Sequence, residues 1–246
     1  MSGPTWLWRA VMIGAAFVVS ALLYAVFPVL AHVIGMAGHE AGHAVSGWLL
    51  GVPSFPVPYL TIHWTFSWTV QVVVLVALTA TSVAAGRGRP WVVLPALACT
   101  AALGVLAALG LSAPVSAYMG NGGAVLIGSG LVFASWTAAG ADLGLIAFAG
   151  FSMVFDAVGV CARIATDEAY RVAYSKPGGN GFGIDNDFLV LAKQFPELTV
   201  ERLAWITVAL GVAALVAANV AGLLVALTSR EAGPTGPYAR VPLPKS

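Results

Sequence analysis

A His-Glu-x-x-His motif, His39-Glu40-Ala41-Gly42-His43, is the part of this sequence best equipped for chemistry. On a helix, residues four apart share a face, so the imidazoles of His39 and His43 can bind one tetrahedral zinc ion. Glu40 lies about 100° further round the helix, within reach of a water molecule on that ion. These residue types at this spacing predict metal-assisted hydrolysis.

The alternative interpretation is a structural cluster of polar residues that satisfy one another. The residues around the motif are apolar or small, which predicts a position at membrane depth, where ionisable groups are costly and usually functional. This context favours the metal site. The small residues fit either interpretation because they let neighbouring helices approach closely; they are Gly35, Ala37, Gly38, Ala41, Gly42, Ala44 and Gly47.

Two histidines do not complete a catalytic zinc site, which usually has three protein ligands and an open position for water. Asp185 and Asp187 are both candidates for the third ligand, because they lie in a glycine-rich segment just before a short predicted helix at 189–195. The alternative role for either acid is to cap the amino end of that helix. The residues alone leave the choice between the two acids open.

Other polar residues are weaker candidates. His32 precedes His39 by seven residues, about 10 Å along a helix and too far for the same ion; a boundary histidine is expected there, with a proton relay or an orienting contact as the alternative. His63 lies among aromatic residues and is expected to pack or to lie at an interface. Three asparagines could donate to a substrate carbonyl or its oxyanion, with turn formation the stronger expectation for the first two: Asn121, Asn180 and Asn186.

Composition indicates the class of protein that must position these residues. The chain has 246 residues, of which 59% are hydrophobic and 9% charged, and its mean hydropathy is +0.91. This predicts an all-α polytopic membrane protein that lies in a lipid bilayer. A net charge of +1 gives no reason to expect nucleic acid as a partner. Cys99 and Cys161 lie in apolar runs and are expected to be core residues rather than a disulfide or a thiolate metal site.

The first third of the chain predicts two helices and an irregular element. Residues 6–31 are long enough to span a bilayer and are expected to be a retained signal-anchor helix, which Pro28 kinks or ends. The helix with the motif follows at about 33–51. Residues 52–65 are apolar but contain three prolines, which predicts an extended or re-entrant element beside the site. This element could offer a strand edge to an unwound substrate or could simply be an interfacial loop.

Three further apolar blocks lie at 66–85, 91–112 and 122–165, the last long enough for two passes with a break near 140–142. Asp142 and Asp156 fall in this last block, either in a polar interior or at a helix end. A glycine-rich connection is expected at 113–123. Most of the charge lies in a polar loop at 163–202, between the last two spans.

The final span is expected at 203–228, so residues 1–228 form a single integral membrane domain, followed by a disordered basic tail at 229–246. The turn at 86–90 and the tail are basic, and the positive-inside rule places both in the cytoplasm. With seven simple crossings, the N-terminus and the polar loop at 163–202 then lie outside, but His39 lies nearer the inner face. We therefore expect about six to seven transmembrane helices with one re-entrant element, either the helix with the motif or residues 52–65.

A His-Glu-Ala-Gly-His-Ala helix near the start of a multi-pass membrane protein resembles the site-2 protease family of intramembrane zinc metalloproteases (peptidase M50), especially its compact M50B-like bacterial branch. The downstream segment 186–192, Asn-Asp-Phe-Leu-Val-Leu-Ala, followed by Pro196 and Trp205, is similar to that branch's Ser-Asp-x-x-x-Leu-Ala segment with its later Pro and Trp. The chain lacks the Leu-Asp-Gly motif and the PDZ-like insertion of better-studied members.

The resemblance implies His39 and His43 as zinc ligands, Glu40 as general base and Asp187 as third ligand. It implies an intramembrane zinc metalloendopeptidase that hydrolyses a membrane-anchored protein substrate, in the inner (plasma) membrane of a bacterium. One alternative is a non-catalytic scaffold or assembly factor that keeps the metalloprotease fold. Another is a transporter whose proton or ion path uses Asp142, Asp156 and His32, which the absence of paired repeats disfavours.

Overall fold

The computed structural model describes residues 6–85, 90–137, 142–178 and 186–228, and within these the chain is almost entirely helical. The expected basic tail, the turn at 86–89, Asn180 and Asp185 lie outside these residues. The elements in chain order are α1 (Trp6–Val26), α2 (Pro28–Leu49), β1 (Ser54–Val57), β2 (Leu60–His63), α3 (Trp68–Ala85), α4 (Pro90–Ala108), α5 (Ser112–Thr137), α6 (Leu143–Thr166), α7 (Glu168–Tyr174), α8 (Asp187–Gln194) and α9 (Val200–Thr228).

The expected fold class, an all-α polytopic membrane protein, is confirmed. In the described residues, four helices are long and apolar enough to cross a bilayer, namely α1, α5, α6 and α9. Shorter apolar helices occupy most of α3 and α4. The helix with the motif, α2, is not among the four. The polar loop lies between the last two spans, as expected, and contains the short helices α7 and α8.

Helix α2 starts and ends where the sequence contains proline and glycine. The chain leaves helical geometry at Phe27, and Pro28 occupies the first turn of α2, where a missing N–H costs no hydrogen bond. At the other end Gly51 has a φ of +76°, a conformation that glycine adopts without a steric penalty. The predicted helix of about 33–51 therefore exists but starts five residues earlier.

Residues 54–63 form an antiparallel hairpin, which confirms the expected extended element. Ser54 is opposite His63, and Pro56 is opposite Thr61. Trp64 N–H donates to the carbonyl of Pro53 at 2.9 Å, so these two residues form a hydrogen-bonded pair. Hydrogen-bonded and non-hydrogen-bonded pairs alternate along an antiparallel ladder. The backbone N–H and C=O groups of Thr61 and His63 therefore point away from β1. The outer edge of β2 has no further strand in the described sheet.

The outer edge of β1 is closed by one of its prolines and by a tryptophan of α2. Pro56 has no N–H to donate, and the carbonyl of Ser54 accepts a hydrogen bond from Trp48 Nε1 at 2.8 Å. Trp48 lies on α2, so this bond ties β1 to the helix with the motif. The hairpin therefore has one edge available, that of β2.

The expected connection at 113–123 is wrong: these residues lie inside α5. Glycines suggest a turn in sequence, but here they permit close helix packing. A methyl group on Gly123 would overlap the Cα of Gly42 on α2, and one on Gly42 would overlap the carbonyl oxygen of Met119. Tertiary contact with α2 overrides the low helix propensity of glycine, and α5 crosses α2 almost backbone to backbone.

Candidate metal centre

The structure brings His39, His43 and Asp187 together from two distant parts of the chain. His39 Nε2 and His43 Nε2 are 3.2 Å apart, and each lies 3.2 Å from Asp187 Oδ2. Among the described residues these three form the group of His, Cys, Asp and Glu side chains whose geometry could hold a metal ion. Asp185, the other candidate for the third ligand, lies outside the described residues.

The size of this triangle suits a small tetrahedral ion. Ligand atoms about 2.0–2.1 Å from one tetrahedral centre are about 3.3–3.4 Å from each other, close to the 3.2 Å of each edge here. Two imidazoles and one carboxylate are also a donor set used by catalytic zinc. The residues present therefore fit a zinc ion, with one position left for water.

A glycine faces the triangle. A methyl group on Gly120 of α5 would lie 2.5 Å from His43 Nε2, Asp187 Oδ2 and His39 Cε1. No side chain other than hydrogen fits at this position without displacing the three groups. Gly120 thus provides the space in which the three side chains meet.

The hydrogen bonds around the triangle set its protonation. His43 Nδ1–H donates to the carbonyl of Ser116 at 2.7 Å, so in the neutral ring the Nε2 lone pair points towards Asp187. Burial alone would raise the pKa of the Asp187 carboxyl, but the charge of His43 and the hydrogen bonds from His39 and His43 outweigh burial and hold this pKa well below its ordinary range. The two Nε2 lone pairs and the carboxylate oxygen are all hydrogen-bond acceptors and cannot bind one another. The cluster therefore requires protons or a metal cation between these three atoms.

Helix α8 places Asp187 through its neighbours. Phe188 is fully buried in a cluster with Cys161, Leu191 and Leu203, which joins α8 to α6 and α9. Asn186 precedes the helix, and its side-chain amide donates to the carbonyl of Tyr174 at 2.6 Å. The predicted helix at 189–195 is confirmed as Asp187–Gln194, but no side chain caps it. Asn186, a possible substrate donor from sequence, instead anchors α8 to α7.

Glu40 is buried, with 6% of its surface exposed, and is held by the hairpin. The hydroxyl of Thr61 on β2 lies 2.6 Å from Glu40 Oε2 and 3.2 Å from the carbonyl oxygen of the same residue. The shorter distance identifies the carboxylate as the main acceptor, since charge-assisted hydrogen bonds are the shorter ones. One carboxylate oxygen is therefore occupied by Thr61.

The polar side chains of the centre line one cavity of about 1230 Å³. Its wall includes His39, Glu40, His43 and Asp187, the hairpin residues Thr61 and His63, and residues of α5 such as Asn121. Asn121 is 6% exposed and follows Gly120, so this candidate donor lies in the cavity wall within a helix rather than in the expected turn.

His63 is closer to the candidate metal centre than its surroundings in sequence suggested. Its ring is 5.9 Å from that of His43, centroid to centroid. Ser54 Oγ lies 2.8 Å from both the carbonyl oxygen of Val52 and His63 Nδ1, and both bonds are satisfied when Nδ1–H donates to Ser54. Burial lowers the pKa of His63, as does the charge of His43, against the opposing effect of Asp187. The lowered pKa favours the neutral ring, whose Nδ1–H donates to Ser54 and whose Nε2 carries the lone pair.

A second polar pair lines the same cavity. His32 Nδ1 lies 3.1 and 3.2 Å from the two carboxylate oxygens of Asp156, joining α2 to α6. His32 therefore has a specific partner rather than the role of a plain boundary residue. Asp142 is exposed at the start of α6, about 21 Å from Asp156 along the helix axis, so the transporter path does not bring its three residues together.

Sequence reasoning missed Gly120, Thr61 and Ser116. Gly120 had a signal, since it lies in a helical pattern of small residues that includes Gly123, Ala124 and Gly128. Thr61 and Ser116 had none, because each acts through one hydrogen bond that only the packing of α2 against the hairpin and α5 creates.

No protein-family model, no curated protein and no solved structure matches this chain. Chemically, two imidazoles and a carboxylate that fit a zinc ion stand beside a buried glutamate in an accessible cavity. This arrangement can activate water for hydrolysis.

Proposed function

We propose that this protein is a zinc-dependent endopeptidase that hydrolyses peptide bonds of a membrane-anchored protein substrate within the lipid layer. The observation that supports the proposal most strongly is the 3.2 Å triangle formed by His39, His43 and Asp187 in the same cavity as Glu40. The cavity belongs to a protein with four helices long and apolar enough to cross a bilayer, which supports a membrane protein as the substrate.

The zinc ligands in this proposal are His39, His43 and Asp187. The bound ion would supply Lewis acidity, lowering the pKa of a bound water towards about 7. The Ser116 carbonyl keeps His43 in the tautomer that presents Nε2, and a hydrogen bond of this kind is the usual second partner of a metal-binding histidine. Gly120 keeps the space between the ligands open.

Glu40 is the general base and later the general acid. Its carboxylate accepts a proton from the attacking water as the water oxygen bonds to the peptide carbonyl carbon. The same proton passes to the amide nitrogen, the carbon–nitrogen bond breaks, and the new carboxylic acid gives its remaining proton to the amine, so that a carboxylate and an ammonium group leave. Asn121 and His63 line the cavity beside this centre and are positioned to contact the substrate backbone.

The hairpin suits an extended substrate. Peptide hydrolysis requires a helix to unwind locally, because a backbone inside a helix offers no accessible carbonyl. The edge of β2 offers backbone groups of Thr61 and His63 with which an unwound segment can pair. The cavity of about 1230 Å³ also exceeds the ~300–1,000 Å³ of common small-molecule pockets, which favours a polymer as the substrate.

Metal analysis of the purified protein tests the ligand set without a substrate. We expect about one zinc per chain in the wild type and strong loss of zinc in His39→Ala and Asp187→Ala, because each variant removes one of three ligands. Zinc retained in both variants at the wild-type level would exclude this ligand set. Asp156→Asn, which changes a cavity carboxylate outside the proposed ligand set that pairs with His32, is the matched control and should retain zinc.

Glu40→Gln tests hydrolysis. The amide cannot accept a proton, so we expect cleavage of a membrane-anchored protein substrate to be abolished while zinc stays near one per chain. Undiminished cleavage would reject the proposal. A metal-free wild-type protein whose cellular role is unaffected by Glu40→Gln would instead favour a scaffold or assembly factor.

We also propose, from the resemblance to the compact M50B-like branch alone, that the protein resides in the inner (plasma) membrane of a bacterium. Cell fractionation tests this location: the protein should be recovered with the inner-membrane fraction.

A further inference from the structure

The hairpin is attached to α2 at two points, one on each strand. Trp48 Nε1 donates to the carbonyl of Ser54 on β1 at 2.8 Å. Thr61 on β2 donates to Glu40 Oε2 at 2.6 Å. Only the second attachment involves a residue with a proposed role in hydrolysis, and it joins the strand with the available edge to the proposed general base.

The Thr61 bond limits the freedom of the Glu40 carboxylate. A glutamate side chain has several rotatable bonds, and among the described residues the hydroxyl of Thr61 donates a hydrogen bond to this carboxylate. Thr61 is itself buried, with 7% of its surface exposed, so water does not readily replace it. With Oε2 held, rotation of the carboxylate about its terminal bonds is restricted.

We infer that Thr61 is a positioning residue that couples the hairpin to Glu40, so that an extended peptide segment paired with β2 stabilises the working orientation of the base. The inference rests on the proposed function. In this inference the substrate binds as an extended strand, and its binding to β2 controls the orientation of Glu40. Hairpin and base influence one another reciprocally, because coupling between two sites acts in both directions.

Hydrogen exchange of the hairpin tests the coupling without substrate. In the full-length protein in detergent, we expect Thr61→Val to speed exchange of amides in residues 54–63 by about ten-fold, since a hydrogen bond to a charged group is lost. Glu40→Ala should speed it similarly, whereas Thr61→Ser should leave it near the wild-type rate. Unchanged exchange in Glu40→Ala would overturn the inference, and melting temperature and gel filtration confirm that each variant is folded.

Kinetics with fluorescently labelled casein, an unfolded protein with many extended segments, test the consequence for hydrolysis. We expect kcat to fall about ten-fold in Thr61→Val with zinc content and KM little changed, and to recover in Thr61→Ser. Trp48→Phe loosens β1 without touching Glu40, so it should leave kcat near the wild-type value. This control separates orientation of the base from general loosening of the hairpin.

The outcomes distinguish the inference from the function on which it rests. If Glu40→Gln is inactive but Thr61→Val keeps the wild-type kcat, or Thr61→Ser is as slow as Thr61→Val, the coupling is refuted and the proposed function stands. If Glu40→Gln is as active as the wild type, both fail. If wild-type protein does not cleave casein, the exchange rates of Glu40→Ala and Thr61→Val decide the inference.

Discussion

Individual residues at the candidate metal centre differ in how visible they are from sequence. His39 and His43 are visible because a helix places residues four apart on one face. Asp187 was one of two acids until its resemblance to a family segment favoured it, and the structure places its Oδ2 at 3.2 Å from both histidines. Gly120 is visible only as one member of a helical pattern of small residues, and its contribution to the centre is the absence of a side chain.

Gly120→Ala tests whether the missing side chain at this position is needed for metal binding. The added methyl group would lie 2.5 Å from three groups of the triangle, so we expect bound zinc to fall below about one tenth of the wild-type content while the protein still folds. Metal analysis of the purified variant measures this. Gly130→Ala is the matched control on the same helix, because a methyl group there meets nothing within 4 Å. Equal zinc in the two variants would show that the space at Gly120 is not needed.

At the scale of elements, hydropathy located most helices but misread the glycine-rich start of α5. Residues 113–123 contain glycines that local propensity assigns to a turn, and only the approach of Gly42 to Gly123 explains why they remain helical. The hairpin at 54–63 was predictable as non-helical from its prolines. Its contact with Glu40 was not, because side-chain hydrogen bonds between elements leave no periodic pattern in sequence.

Gly123→Ala tests the crossing of α2 and α5. The methyl group would overlap the backbone of Gly42, so the helices must separate, and overpacking of this kind costs about 1–3 kcal/mol. We expect thermal unfolding in detergent to shift to lower temperature, together with a loss of zinc affinity, since α2 carries two of the proposed ligands. Gly14→Ala on α1 has nothing within 4 Å and should leave unfolding unchanged. A Gly123→Ala variant as stable as Gly14→Ala would contradict the tight crossing.

At the scale of the whole molecule, composition was sufficient to predict a polytopic membrane protein, and four long apolar helices bear this out. The orientation of the protein in the membrane follows from a count of crossings. If α4, α5, α6 and α9 each cross the bilayer, the segment before α4 and the segment after α9 lie on one side and the polar loop between α6 and α9 lies on the other. Basic residues at 86–90 and in the tail predict that the first side is the cytoplasm.

Cysteine labelling in whole cells tests this orientation. Cys161 is buried as expected, but Cys99 is exposed rather than a core residue, so both are first replaced by alanine. Single cysteines at Arg87→Cys and Arg240→Cys should resist a membrane-impermeant maleimide in intact cells, whereas Glu197→Cys in the polar loop should react. Labelling of positions 87 and 240 from opposite sides would show that an odd number of these four helices crosses, which contradicts the arrangement; α4, one of the shorter apolar helices, would be the first to test separately.

The length of β2 has a mechanical consequence for any chain that pairs with it. Four residues in a strand extend about 13 Å, but the same four in a helix occupy about 6 Å. A membrane anchor accepted along this edge must therefore lengthen by about 7 Å, drawing its flanking sequence towards the bilayer. Under the proposed function, a bulky folded domain close to the anchor would resist that pull, and its prior removal would speed cleavage of the anchor.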